Sequence, residues 1–168
     1  MAEVIKTYFE RVPAQQFIGI SYSSKDRDEK QTFGAKWTEW IEKEYFDTIL
    51  KANPEMICDG TTYACMRMTD NGNDIDYRIG LVAPEDANVP EGFSSIDLPA
   101  GDLGVCWFKG SAQQADVYFE QDKCIEALMK EGFSITPASF FFERYVPERF
   151  TTDPDGNVIL DVCVLGNF

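Results

Sequence analysis

Apolar and polar residues alternate over several short stretches of this chain, and a period of two is typical of half-buried β-strands. Strands are predicted at residues 14–22, 61–68, 75–83, 93–98, 103–109, 139–146 and 158–165. Two stretches rich in Asp, Asn and Gly, at 70–74 and 153–157, predict the turns between the second and third strands and between the last two. The strand pairs that flank these turns are therefore predicted to be antiparallel.

Two other stretches show the spacing of three and four residues that indicates amphipathic helices. The first helix is predicted over about 31–51. The residues that share its inward side are Phe33, Trp37, Trp40, Ile41 and Thr48. Glu44 interrupts this apolar stripe, so it lies either at the rim of the core or in an acidic wall of a cavity. The second helix is predicted over 112–131 and ends near Gly132, a residue suited to a helix C-terminus. Its predicted inward residues are Val117, Tyr118, Ile125, Leu128 and Met129.

The order of elements is therefore strand–helix–strand–strand, and it occurs twice. We predict an α+β fold in which these two pseudo-repeated units form one curved antiparallel sheet, with two helices and a central groove. The length favours a single domain over 1–168, with pseudo-repeats at about 9–83 and 93–168.

One predicted strand carries an aromatic run with a carboxylate in the middle, Phe140-Phe141-Phe142-Glu143-Arg144-Tyr145. Because alternate side chains face alternate sides, Phe141, Glu143 and Tyr145 are expected to share one face. Aromatic rings around a carboxylate suit an apolar cation, since they supply surface and cation–π attraction beside the opposite charge. Glu143 has an internal partner, faces water, or binds a ligand; pairing with Arg144 is the simplest alternative.

Composition narrows the function further. The net charge is −14, from 29 acidic and 15 basic residues. This balance argues against direct binding of nucleic acid and against an anionic membrane surface, whereas it permits cationic ligands or a protein partner that recognises acidic surfaces. The chain has no histidine, which removes the serine–histidine–aspartate triad and most zinc sites. No metal and no cofactor are predicted.

The five cysteines form no CxxC pair and lie mostly in apolar runs, so they read as reduced, buried thiols of a cytoplasmic protein. A cysteine nucleophile is disfavoured because no histidine can activate it. No signal peptide and no membrane span are predicted. Nor is a DNA-binding domain expected before this one, so the protein is expected to act alone.

Four stretches together resemble the GyrI-like small-molecule-binding family, the effector-binding domain of bacterial AraC-type and MerR-type transcription regulators. They are residues 10–19, Tyr77-Arg78-Ile79-Gly80-Leu81, residues 98–105 with Gly110, and Phe142-Glu143-Arg144-Tyr145 followed by Leu160-Asp161-Val162-Cys163-Val164. The resemblance covers about residues 9–166. It implies two pseudo-repeated units with a hydrophobic groove, and a glutamate in the penultimate strand that faces the groove and meets cationic aromatic ligands; Glu143 matches that position.

The predicted function is therefore binding of hydrophobic, cationic aromatic compounds, with Glu143 as counter-charge. The predicted ligand-binding residues are Glu143, Tyr145, Trp37, Trp40, Trp107, Phe141 and Tyr118. Core packing is an equal alternative for the three tryptophans.

Two other functions stay open. In the first, the protein hydrolyses strained, cyclopropane-bearing compounds, with Glu143 as base and Tyr145 beside it. In the second, its acidic surface restrains a DNA-binding enzyme such as gyrase.

Overall fold

The structure is a computed structural model that describes residues 1–166 of the 168. Its strands are β1 (Glu3–Val12), β2 (Gln15–Tyr22), β3 (Thr62–Met68), β4 (Ile75–Pro84), β5 (Ser94–Leu98), β6 (Gly101–Gly110), β7 (Phe140–Tyr145) and β8 (Val158–Gly166). Its helices are α1 (Gly34–Glu42), α2 (Tyr45–Ala52), α3 (Asp116–Phe119) and α4 (Asp122–Lys130). The predicted α+β class is confirmed, and every predicted strand is present within two residues at each end.

The chain forms two compact units. We call Ala14–Pro99 the central unit, because it is central in the sequence, and Met1–Pro13 with the chain from Ala100 onward the terminal unit. Each unit contains the predicted strand–helix–strand–strand order, and each adds one strand to it. That the whole chain is a single domain stays a prediction.

In the central unit, antiparallel pairing gives the strand order β3-β4-β2-β5. Helices α1 and α2 cover one face of this sheet. Between helices and sheet lies a core that includes Ile18, Trp40, Ile49 and Ile79, all fully buried.

In the terminal unit the corresponding order is β1-β6-β8-β7, again antiparallel. Helices α3 and α4 pack on one face, over Cys106 and Phe108 of β6 and over Leu160 and Val162 of β8. The added strand in this unit is β1, which pairs with β6 across about a hundred residues of sequence.

Strand β1 was not predicted. Residues 9–12, which the sequence places in the first repeat, pair in the terminal unit, whereas residues 94–98 pair with β2 of the central unit. Neither pairing can be read from a period of two, because periodicity assigns side chains to faces and leaves the choice of partner strand open.

Each predicted helix is broken in two. The first breaks at Lys43–Glu44, where Glu44 takes the left-handed conformation with a φ of 55°. The second breaks at Glu120–Gln121. Ile41 in α1 is 69% exposed and Met129 in α4 is 55% exposed, so the predictions that place them inward are wrong. Thr48 and Glu44 are exposed too, so Glu44 forms no acidic wall.

Candidate functional site

Strand β7 turns one carboxylate toward the helices of the terminal unit. Glu143 pairs with Val162 of β8, whose side chain lies in the core beneath α3 and α4. Phe141 and Tyr145 pack against buried clusters on this same side. The predicted shared face of Phe141, Glu143 and Tyr145 is therefore the helix-covered face, and Glu143 is only 5% exposed.

Gln121 holds the carboxylate of Glu143. Its side-chain amide donates to Oε2 of Glu143 over 2.9 Å and to the main-chain carbonyl of Val117 over 3.3 Å. Gln121 lies at the break between α3 and α4, so one amide connects the end of α3 to the middle of β7. A hydrogen bond to an ionised group is stronger than one between neutral groups, and it stabilises the buried charge.

Gln121 was missed by the sequence analysis, although a signal was present. Residues 117, 121, 124 and 128 follow helical spacing, and three of them, Val117, Cys124 and Leu128, are fully buried. Gln121 is the polar exception in this inward row. A polar residue among inward positions needs a buried hydrogen-bond partner, and its partner is the carboxylate.

Tyr118, one of the predicted ligand-binding residues, lies on the same side of the sheet. It follows Val117 in α3 and packs against the same buried cluster as Tyr145. Burial first, and then the nearby negative charge of Glu143, raise the pKa of Tyr118 to about 12. Its hydroxyl therefore stays protonated at neutral pH.

Phe150 supplies a further ring that the sequence did not indicate. Its centroid lies 4.8 Å from that of Tyr145 at an interplanar angle of 84°, an edge-to-face contact. Tyr118, Phe141, Tyr145 and Phe150 thus lie on the face of the sheet toward which Glu143 points, and Gln121 is its amide donor. We call these six residues the Glu143 site.

Trp107 is not part of the Glu143 site. It pairs with Asp161 and lies on the opposite face of the same sheet. There the guanidinium of Arg149 lies 4.6 Å from its ring centroid, and its Nε1 donates to the hydroxyl of Tyr8 over 3.3 Å. Lys6 also lies over the ring, 5.0 Å from the centroid.

Arg144 lies on this opposite face too, so it does not pair with Glu143. Its Nε donates to Asp161 over 2.9 Å, and Arg149 donates twice to the same carboxylate, over 2.9 and 2.6 Å. Asp161 is fully buried between them. Nη1 and Nη2 of Arg144 also donate to the two carboxylate oxygens of Glu10, each over 3.4 Å. The simple Glu143–Arg144 pair considered from the sequence is therefore absent.

Trp37 and Trp40 belong to the central unit. Trp40 is 0% exposed, and its Nε1 donates to the hydroxyl of Tyr22 over 2.8 Å. Trp37 is partly exposed, and its Nε1 donates to the hydroxyl of Tyr77 over 2.9 Å. The geometry of Trp40 matches the alternative of core packing, because a ligand has no access to its ring.

The central unit has a cleft of another character, with a volume of about 520 Å³. Its lining includes Arg67, Arg78, Asp26, Asp70 and Asp76, and Arg78 and Asp76 form an ion pair with 3.0 Å between Nε and Oδ2. A cleft lined by charges of both signs does not suit an apolar cation, which gains most from rings and a single carboxylate. The Glu143 site is therefore the better candidate.

Four of the five cysteines are buried. Cys65, Cys106, Cys124 and Cys163 are buried, and Cys58 is exposed. Burial raises the pKa of Cys65 and of Cys163 to about 12, so these thiols stay protonated and unreactive at neutral pH.

Within residues 1–166, no helix is both long enough and apolar enough to cross a membrane.

Residues 9–152 match the Cass2 family of integron-associated effector-binding proteins. The chain belongs to this family. The match includes the whole central unit and the terminal unit through β7, so the resemblance to effector-binding domains is confirmed. Among curated proteins, none matches this effector-binding protein.

Solved structures share its fold. One is described as a bacterial transcription regulation protein from Staphylococcus aureus MU50; the TM-score is 0.64 at 13% identity, over 98% of this chain and 99% of that one. Another is SAV2435 bound to tetraphenylphosphonium, with a TM-score of 0.64 at 13% identity, over 96% and 93%. A third is an integron cassette protein from Vibrio cholerae, with a TM-score of 0.51 at 12% identity, over 97% and 98%.

Proposed function

We propose that this effector-binding protein binds hydrophobic, cationic aromatic compounds, and that Glu143 is the counter-charge to the bound cation. The observation that carries the proposal is a carboxylate only 5% exposed on a sheet face that also carries four aromatic side chains. A charge removed from water is costly unless opposite charge or hydrogen bonds compensate it. Gln121 supplies one hydrogen bond, and a ligand cation adds the opposite charge.

The rings supply the other part of the affinity. Tyr118, Tyr145, Phe141 and Phe150 offer apolar surface, whose burial stabilises a complex by roughly 25 cal/mol per Å². Their faces also attract a cation, by about 0.5–2 kcal/mol for each well-placed ring. Neither contribution depends on a particular hydrogen-bond pattern in the ligand, so the site is expected to accept a class of compounds.

The family and one similar fold support this ligand class. The family consists of integron-associated effector-binding proteins. The structure of SAV2435 was solved with bound tetraphenylphosphonium, a lipophilic aromatic cation. That compound is therefore the first probe for this chain.

The test is a calorimetric titration of the protein with tetraphenylphosphonium, comparing wild type with Glu143→Gln. We expect the substitution to weaken binding by about tenfold to a hundredfold, because it removes the negative charge and keeps the shape of the side chain. Glu126→Gln is the matched control, since Glu126 is an exposed residue of α4 and its loss changes the net charge equally. Equal affinity of wild type and Glu143→Gln contradicts the proposal, and an equal loss in the control assigns the effect to overall charge.

Hydrolysis of cyclopropane-bearing compounds remains the alternative that uses the same carboxylate. Glu143 would accept a proton from an attacking water, a role open to a carboxylate. Incubation of such a compound with wild type and with Glu143→Gln separates the two functions: a ring-opened product formed only by wild type indicates an enzyme. Tight binding without product indicates a binding protein.

A further inference from the structure

Tyr118 supplies a hydrogen-bond donor to the Glu143 site. Within residues 1–166 its hydroxyl makes no hydrogen bond, although Gln121 and Glu143 beside it are bonded to each other. Every fully buried side-chain nitrogen or oxygen of the described residues has a partner. The hydroxyl of Tyr118 is therefore not fully buried, and it is open to a hydrogen-bond acceptor from outside the protein.

The backbone fixes Tyr118 close to the carboxylate. The carbonyl of Val117 belongs to the peptide bond that leads into Tyr118, and it accepts from the same amide nitrogen of Gln121 that donates to Glu143. The two contacts, 3.3 and 2.9 Å long, tie α3 to β7 at this point. The ring of Tyr118 packs against the buried cluster that Tyr145 and Phe150 also contact, which limits its movement.

The hydroxyl is a donor at neutral pH. Burial and the charge of Glu143 both oppose ionisation of the phenol, and they raise the pKa of Tyr118 to about 12. The site therefore presents the carboxylate of Glu143 and, close to it, the O–H group of Tyr118. A ligand oxygen with lone pairs is repelled by the carboxylate and can accept from the hydroxyl.

We infer that the Glu143 site selects aromatic cations that carry a hydrogen-bond acceptor, such as a carbonyl or ether oxygen, and that Tyr118 donates to this acceptor. The inference rests on the proposed function and narrows its ligand class. Glu143 attracts the positive charge of the ligand, and the hydroxyl of Tyr118 donates a hydrogen bond to the acceptor of the ligand. A phosphonium cation without any acceptor uses only the first of these two contacts.

A matched pair of ligands tests this. (4-Acetylphenyl)triphenylphosphonium and (4-ethylphenyl)triphenylphosphonium have the same charge and nearly the same size, and only the first has a carbonyl acceptor. We expect wild type to bind the acetyl compound about threefold to tenfold more tightly, the range of one neutral hydrogen bond. Tyr118→Phe is expected to erase this preference while its affinity for the ethyl compound stays within about twofold of wild type.

The ethyl compound is also the control for folding, because a misfolded variant loses affinity for both ligands. Thermal unfolding of Tyr118→Phe, followed by circular dichroism, identifies that case. Tyr118→Trp, which keeps a large ring with an N–H donor, is then the second variant: it is expected to keep a preference for the acetyl compound.

Three results overturn the inference: wild type binds both compounds equally, Tyr118→Phe keeps the preference, or Tyr118→Phe weakens both compounds alike while remaining folded. The proposed function fails in a different way, when Glu143→Gln leaves the affinity for both compounds unchanged. If Glu143→Gln weakens both compounds by the same factor and Tyr118→Phe affects only the acetyl compound, both conclusions stand.

Discussion

At the scale of single residues, Glu143 and Arg144 are neighbours in β7 whose side chains make different contacts on opposite faces of the sheet. Glu143 turns toward the helices and Gln121, whereas Arg144, the next residue, turns to the other face and pairs with Asp161 and Glu10. The pleat of the strand keeps their charges apart. Arg144 is therefore held on the opposite face of the sheet and does not pair with Glu143.

On the opposite face of the sheet, Asp161 is the shared partner of two arginine side chains. It is fully buried and accepts from both Arg144 and Arg149. We expect Asp161→Asn to lower the free energy of unfolding by about 3–5 kcal/mol, because two partly buried guanidinium groups lose their shared counter-charge. Urea unfolding followed by tryptophan fluorescence measures the change.

Asp97→Asn in β5 is the control for Asp161→Asn, since Asp97 is exposed on its strand and is expected to change stability by less than about 0.5 kcal/mol. A loss of under 1 kcal/mol for Asp161→Asn, on the scale of a surface pair, contradicts a structural role for this cluster.

At the scale of elements, the strands follow from local pattern and the interruptions of the helices do not. The predicted strand bounds are close to the observed ones because the period of two and the Asp–Asn–Gly turns are local signals. The helix breaks at Glu44 and at Gln121 lack such a signal, since neither break contains Gly or Pro.

A close approach of β2 and β4 explains one glycine of the Tyr77–Leu81 motif. Gly80 lies opposite Gly19, and a Cβ atom at Gly80 would overlap the carbonyl oxygen of Ile18. We expect Gly80→Ala to lower the free energy of unfolding by more than about 2 kcal/mol, because main-chain atoms of two paired strands have to separate. The shift of the thermal midpoint measures the effect.

Gly34→Ala is the matched control for Gly80→Ala. The added methyl group at Gly34 meets only side-chain oxygens, at 3.3 and 3.4 Å, at the start of α1. Its midpoint is expected to stay close to that of wild type. If both variants unfold at the same temperature, the strands tolerate a side chain and the explanation of this glycine is wrong.

At the scale of the whole molecule, buried thiols make stability depend on alkaline pH. Burial raises the pKa of Cys65 and Cys163 to about 12 from an ordinary value of 9.0. The contribution of these thiols is complete below pH 9 and is lost as the pH rises toward 12, because the unfolded chain releases their protons first. We expect the urea midpoint to fall between pH 9 and pH 10.5.

Two alanine variants identify the source of that fall. Cys65→Ala is expected to make the decrease in urea midpoint smaller, whereas Cys58→Ala is expected to leave it unchanged, since Cys58 is exposed. The same dependence on pH in all three proteins would show that other groups cause it.

The sequence by itself determined the class of fold, most strand positions, and the face of β7 that carries Phe141, Glu143 and Tyr145, because each of these follows from a period of two or from local turn chemistry. Only the tertiary structure decided which residues surround Glu143. Gln121 and Tyr118 approach it over more than twenty residues of sequence, Trp107 lies on the other face, and β1 joins β6. Local patterns assign a side chain to a face, whereas partner strands and helix breaks are selected by packing across the fold.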